Sequence, residues 1–193
     1  MKVGPFGFDL SADAGVFDSH LRRSLSDLEG YFADVAAYRN MVDSGNPVVY
    51  EVFEIDRPQV AGEIRHGLSV VHAGAVGDEY FMTKGHYHSV RGTAEIYYCL
   101  MGRGILLMEN AAGEWAAEEL RPGRVVYVTP YWAHRSINVG HDEEDLITFF
   151  AYPANAGHDY DAIAGKRFRK QVLRRNGNPS VVDNPARTSE AAP

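Results

Sequence analysis

The chain of 193 residues holds a single cysteine, Cys99. No disulfide can close within it, and a reducing, cytoplasmic setting is the expectation. No apolar run reaches the length of a membrane span, and Met1–Phe6 lacks the apolar stretch of an export signal, so neither membrane insertion nor secretion is expected. Positive charge is also scarce: 19 Lys and Arg against 26 Asp and Glu give a formal net charge of -7. Nucleic acid is thereby disfavoured as a partner, because a phosphate backbone demands a basic stripe. An anionic small molecule must be caught by local donors rather than by the overall field. There is no internal repeat and no low-complexity tract. What remains, 45% hydrophobic and 23% charged residues, is ordinary for a soluble globular chain, and the length suits one domain rather than two.

Three stretches differ in pattern. Residues 1–46 read as an N-terminal helical arm. Ser26-Asp27-Leu28-Glu29 has the spacing of a capping box, and Asp34 to Val42 places apolar residues at helical intervals up to Ser44-Gly45. From 47 to 160 the period becomes two. Val48–Phe53, Leu68–Val71, Glu95–Leu100 and Val125–Val128 are rich in β-branched and aromatic residues, with Gly and Pro between them. Many short strands at this density predict a closed or sandwiched antiparallel architecture. Residues 161–193 hold a basic run, Lys166 to Lys170, read as a solvated strand face, then the hairpin turn Asn176-Gly177 and a frayed tail.

One constellation carries chemistry. His86 and His88 are two apart, which on a strand puts both imidazoles on one face. After six intervening residues Glu95 opens the next apolar run, and His134 arrives after the Pro122-Gly123 turn and another strand. Imidazole with carboxylate suits a first-row divalent ion such as Fe, Mn, Ni or Zn. Four protein ligands on an octahedral ion leave two places for substrate or water, as a catalytic site requires. The order His86-x-His88-x6-Glu95-x6-Gly102, then Gly123 and His134-x3-Asn138, resembles the paired signatures of the cupins. That resemblance implies an all-β fold, a double-stranded β-helix or jelly-roll barrel, with an N-terminal helical segment.

The flanking residues narrow the family. Thr83-Lys84-Gly85-His86-Tyr87-His88, Ala94-Glu95-Ile96-Tyr97, Pro130 to Arg135 and Tyr152 to Tyr160 resemble the cupin-type glucose-6-phosphate isomerases, as do Pro5-Phe6-Gly7, Leu25 to Phe32, Pro47 to Val52 and Val181 to Pro185. The likeness spans residues 5 to 185. Ser69 stands where the family usually has Thr, and the loop His141 to Asp145 is long and acidic. The resemblance implies interconversion of glucose 6-phosphate and fructose 6-phosphate, one divalent metal ion per subunit, and a homodimer.

Aldose–ketose isomerisation needs a polarised carbonyl and either a base that shuttles a proton or a geometry for hydride shift. Glu95 is the candidate base, with permanent ligation as its alternative role. Alternation points Tyr97 into the cavity with Glu95, as a hydroxyl donor or as packed core. By resemblance Tyr50, Ser69, Thr83 and Gly85 form the phosphate end, with Tyr152, His158 and Tyr160 near the sugar. Lys84 falls on the opposite face from Thr83 and Gly85 by alternation and is left outside the site. Two other classes stay open: a non-haem iron dioxygenase on the same ligands, and a non-catalytic sugar-binding cupin. Mannose 6-phosphate is a further candidate substrate.

Overall fold

Period-two segments become strands wherever the sequence showed them, Val125–Val128 unchanged and the others extended by one to four residues. The computed structural model describes residues 6–10, 16–141 and 143–187; Pro5, Asp142 and the tail from 188 lie outside the described residues. In chain order the strands are β1 (Ser19–Ser24), β2 (Val48–Ile55), β3 (Ile64–Val71), β4 (Ala75–Val76), β5 (Glu79–Tyr80), β6 (Glu95–Met101), β7 (Gly104–Asn110), β8 (Trp115–Leu120), β9 (Val125–Val128), β10 (Trp132–Asn138), β11 (Leu146–Pro153), β12 (Lys170–Arg175) and β13 (Asn178–Asp183). All pair antiparallel in three sheets: β1-β2-β3-β11-β6-β9, β10-β7-β8 and β13-β12-β5-β4. This is the cupin architecture expected.

Alternation explains the core. In β11 every second residue from Leu146 to Tyr152 is buried, and in β6 the buried set is Glu95, Tyr97 and Cys99 while Ile96 is exposed. The apolar members of these inward sets, Tyr97, Cys99, Leu146, Phe150 and Tyr152, join Leu106, Met108 and Ile137 of the three-stranded sheet in one hydrophobic cluster. Burial of this kind supplies most of the folding drive, at roughly 25 cal/mol per Å².

The N-terminal segment corrects the reading in two respects. It contains a strand, β1, which pairs with β2 from Ser19↔Glu54 to Ser24↔Val48; its sequence, Ser-His-Leu-Arg-Arg-Ser, carries too little apolar alternation to announce it. The capping contact lies two residues earlier than read: Asp27 accepts from Ser24 N–H at 2.9 Å across a 3-10 turn, Leu25–Leu28. Helix α1 (Val35–Ser44) forms as expected, with Asp34 accepting from Ala37 N–H at 2.9 Å. At the other end, Asn176 and Gly177 both have positive φ, 52° and 78°, as a two-residue turn between β12 and β13 requires. The basic run is not a strand face. Only Lys170 belongs to β12, and Phe168 is fully buried.

Asn138, singled out by its spacing from His134, is a structural pin. Its Nδ2 donates to the carbonyls of Val71 (2.9 Å) and Glu144 (2.8 Å), and its Oδ1 accepts from Gly140 N–H (2.8 Å). Three buried hydrogen bonds at about 1 kcal/mol each predict that Asn138→Ala costs about 3 kcal/mol. Urea unfolding checks this, with metal content per folded chain expected to stay unchanged.

Candidate active site

His86 and His88 sit on an extended segment that pairs only through isolated bridges, Met82↔Ile137, His86↔His134 and Tyr87↔Asp159, rather than in a regular strand. The local chain breaks because Gly85 has φ 73°. His86 and His134 nevertheless form a reciprocal backbone pair, with N–H to O distances of 3.2 and 3.1 Å. Their rings stand 4.6 Å apart. One backbone pairing thus sets two of the four expected ligands side by side.

Glu95 begins β6, opposite Val128 of β9. Its Oε2 lies 3.0 Å from His88 Nε2 and 2.9 Å from His134 Nε2. One donor atom from each of His86, His88, Glu95 and His134 falls within 4.8 Å of all the others. Glu95, His88 and His134 are only 3%, 4% and 1% exposed. Two buried imidazole atoms, His86 Nε2 and His134 Nδ1, have no hydrogen-bond partner among the described residues, which a bound cation at the cluster helps to explain. His88 Nδ1 contacts Thr93 Oγ1 at 2.8 Å and the Thr93 carbonyl at 3.2 Å; an Nδ1–H donated to that carbonyl turns Nε2 toward the cluster as a free lone pair. The donor set fits a divalent metal ion.

Charge states agree with that fit. Burial drives His86 well below the ordinary histidine range, with His134 and His158 adding to it, so its imidazole is neutral as a ligand must be. Burial by itself would raise Glu95, but the imidazoles, His134 foremost, overcome it and hold the carboxyl below its usual range. Burial and the Glu95 carboxylate push Tyr97 well up, so its hydroxyl stays protonated and donates to Glu95.

A cavity of about 190 Å³ opens on this cluster. It is lined by Tyr50, Ser69, Thr83, Gly85, His86, Glu95, Tyr97, Tyr152, His158 and Tyr160, so ten of the twelve residues singled out from sequence share one wall; His88 and His134 stand behind it. The His158 ring lies 4.4 Å from that of His86 and 5.4 Å from that of Tyr152. Thr83 Oγ1 accepts from Ser136 N–H at 3.1 Å, which leaves its hydroxyl hydrogen to point elsewhere.

Several lining residues were not foreseen. Lys84 lines the cavity, because the left-handed turn at Gly85 cancels the alternation that placed it outside. Its backbone N–H and the Arg23 side chain both bond the Tyr50 hydroxyl. Glu54, on β2, accepts from the Tyr152 hydroxyl at 3.0 Å and is itself gripped by Arg65 through two 3.0 Å bonds. Arg135 is buried, stacks 4.2 Å over Phe168 and donates to the Lys84 carbonyl at 2.7 Å; it holds the Thr83–Gly85 turn from behind. Nothing in local sequence distinguishes these residues. His20 and His72 stand outside this site: they bind Glu51 (2.5 and 3.1 Å), and His72 also binds Asp145 (3.1 Å).

The family described as Glucose-6-phosphate isomerase (GPI) matches residues 22–188. The glucose-6-phosphate isomerase of Thermococcus litoralis is 46% identical over 183 residues, 94% of this chain and 95% of that protein. That of Pyrococcus furiosus is 43% identical over 187 residues, 96% of this chain and 98% of that one. Among solved structures, the Lactobacillus farciminis oxalate decarboxylase formate complex aligns with a TM-score of 0.46 at 21% identity, over 57% of this chain and 30% of that chain. Among the described residues no helix is long and apolar enough to cross a membrane.

Proposed function

This chain belongs to the cupin-type glucose-6-phosphate isomerase family, and from that premise we propose that it interconverts glucose 6-phosphate and fructose 6-phosphate at the His86–His88–Glu95–His134 centre. The observation that carries the reading is the opening of the candidate metal cluster into a cavity walled by hydroxyl donors. A divalent ion bound there, ferrous iron by our proposal with Mn, Ni or Zn as substitutes, supplies Lewis acidity toward the O1/O2 pair of the sugar.

The chain's own groups do the rest. Glu95 keeps Oε2 against the imidazoles, and its other oxygen moves the proton between C2 and C1 through a cis-enediol. Tyr97, protonated, donates to that carboxylate or to a sugar hydroxyl beside it. His158, at the mouth of the cavity, takes the hydroxyl proton in ring opening, and Tyr152, fixed by Glu54, walls the sugar with Tyr160. The phosphate sits at the Tyr50, Ser69, Thr83 and Gly85 end. There Lys84 and Arg23 furnish the positive charge that a chain of net charge -7 does not offer in general. The family match favours this isomerase over an oxygenase or a non-catalytic sugar-binding module.

The protein acts as a homodimer in our reading. On the six-stranded sheet Phe8 stacks on His66 at 5.0 Å between ring centres and Phe149 lies tilted against His66 at 6.3 Å, with an Ile64 that is 59% exposed in the same hollow. An apolar face of that kind suits a second copy. The buried thiol of Cys99 is compatible with a reducing cytoplasm.

The test is conversion of fructose 6-phosphate to glucose 6-phosphate before and after exhaustive chelation, then with Fe, Mn, Ni or Zn restored singly. Turnover should vanish and return with a metal. Undiminished rates in stripped protein overturn the metal's role, and no turnover with any metal overturns the isomerase. Thr83→Val is expected to raise KM for the sugar phosphate by about tenfold, one charge-assisted hydrogen bond's worth, with a smaller effect on kcat.

A further inference from the structure

A second cavity, of about 280 Å³, lies behind the loops that carry the active site. Its walls include Arg91, Lys166, Arg169 and Arg187 together with Tyr87 and Tyr131. Four cationic side chains around one hollow are unexpected in a chain of net charge -7, since like charges brought together without an anion repel. Arg91 and Arg187 are tied to carboxylates. Arg91 donates to Asp159 at 2.5 Å and stacks 4.2 Å over Tyr87, and Arg187 donates to the buried Glu109 at 2.7 Å.

These ties do not use the donors up. Nη1 of Arg91 and Nε of Arg169 are buried and have no hydrogen-bond acceptor among the described residues. A buried guanidinium N–H without an acceptor is costly, and such groups are normally matched by a bound partner. Arg91 comes from the loop after His88, whereas Lys166, Arg169 and Arg187 come from the C-terminal segments, so the cations reach the hollow from separate parts of the chain. Donors converging from different directions suit a tetrahedral anion with three or more oxygens better than a planar carboxylate with two.

We propose that this hollow is a binding site for a small phosphate-bearing anion, separate from the sugar-phosphate cavity and not needed for isomerisation. Arg91 and Arg169 grip its oxygens, and Lys166 and Arg187 supply further charge.

Inorganic phosphate is the probe, titrated by calorimetry into the metal-loaded protein with fructose 6-phosphate saturating the barrel. One phosphate per chain is expected to bind, raising the melting temperature in step with occupancy. Arg169→Gln should weaken it by on the order of tenfold, the usual loss for a charge-assisted bond, while Arg169→Lys recovers part of the affinity and isomerase activity is unchanged in both. Lys166→Gln provides a second variant at the rim should Arg169→Gln fail to fold. Absence of any phosphate site beyond the barrel, with the sugar phosphate present and also with it left out, overturns the site. So does affinity indifferent to both glutamine variants, or an equal effect from chloride at matched ionic strength.

Discussion

Glu95→Gln is expected to slow isomerisation by about 10²–10⁴-fold, the range for loss of a positioned general base, while the fold and the bound metal are retained. Glutamine keeps an oxygen in nearly the same place, and three imidazoles remain at the cluster. What it removes is the anion that can take a proton from carbon. The cavity is already arranged so that this carboxylate is ionised, because the imidazoles around it outweigh the burial that opposes its charge. Two readings of the variant separate the possible duties of Glu95. Metal content by elemental analysis reports ligation, and incorporation of solvent deuterium at C2 of the sugar reports proton transfer. Metal retained with both turnover and exchange lost identifies the base. Full turnover with metal bound ends that assignment, and loss of the metal makes Glu95 a ligand first.

Gly85→Ala is expected to cost about 2–5 kcal/mol and to lower the melting temperature by on the order of 10 °C. Two causes add. The backbone there is left-handed, φ 73°, which an L side chain adopts at about 1–2 kcal/mol. A Cβ would also fall 2.6 Å from Phe168 Cε2 and 3.0 Å from Arg135 Cβ, and crowding a packed core costs about 1–3 kcal/mol. Neither neighbour yields easily: Phe168 is fully buried, and Arg135 is anchored by its bond to the Lys84 carbonyl. Relief must therefore come from the turn itself, which displaces Thr83, Lys84 and His86 together, so activity should fall with stability. Gly177→Ala is the control. Its φ is similar, 78°, but a Cβ there meets open space, so only the backbone cost of about 1–2 kcal/mol should appear, with activity intact. Equal effects from the two substitutions, measured by thermal melting and the sugar-phosphate assay, would remove packing from the account.

The candidate metal ligands were legible because residue type and spacing are local. His86 and His88 are two residues apart on extended backbone, and Glu95 heads a strongly alternating strand, so residue type and spacing suffice. The same holds for β9 and the Asn176-Gly177 turn, where short-range sterics decide. The strand β1 was not legible, since its pairing with β2 rather than its own residues makes it extended.

The remaining features belong to the tertiary structure alone. Lys84 faces the cavity because one positive φ at Gly85 breaks the alternation on which its exclusion rested. Thr93 orients His88, Glu54 holds Tyr152, and Arg135 braces the Thr83–Gly85 turn; these partners are 5, 98 and 51 residues apart. Local patterning by itself marked the candidate metal cluster and a β scaffold, and family resemblance supplied the rest of the candidate site. Packing between distant segments decided which neighbours fix their orientation and supply charge, because contacts across the fold leave no periodicity in the chain that makes them.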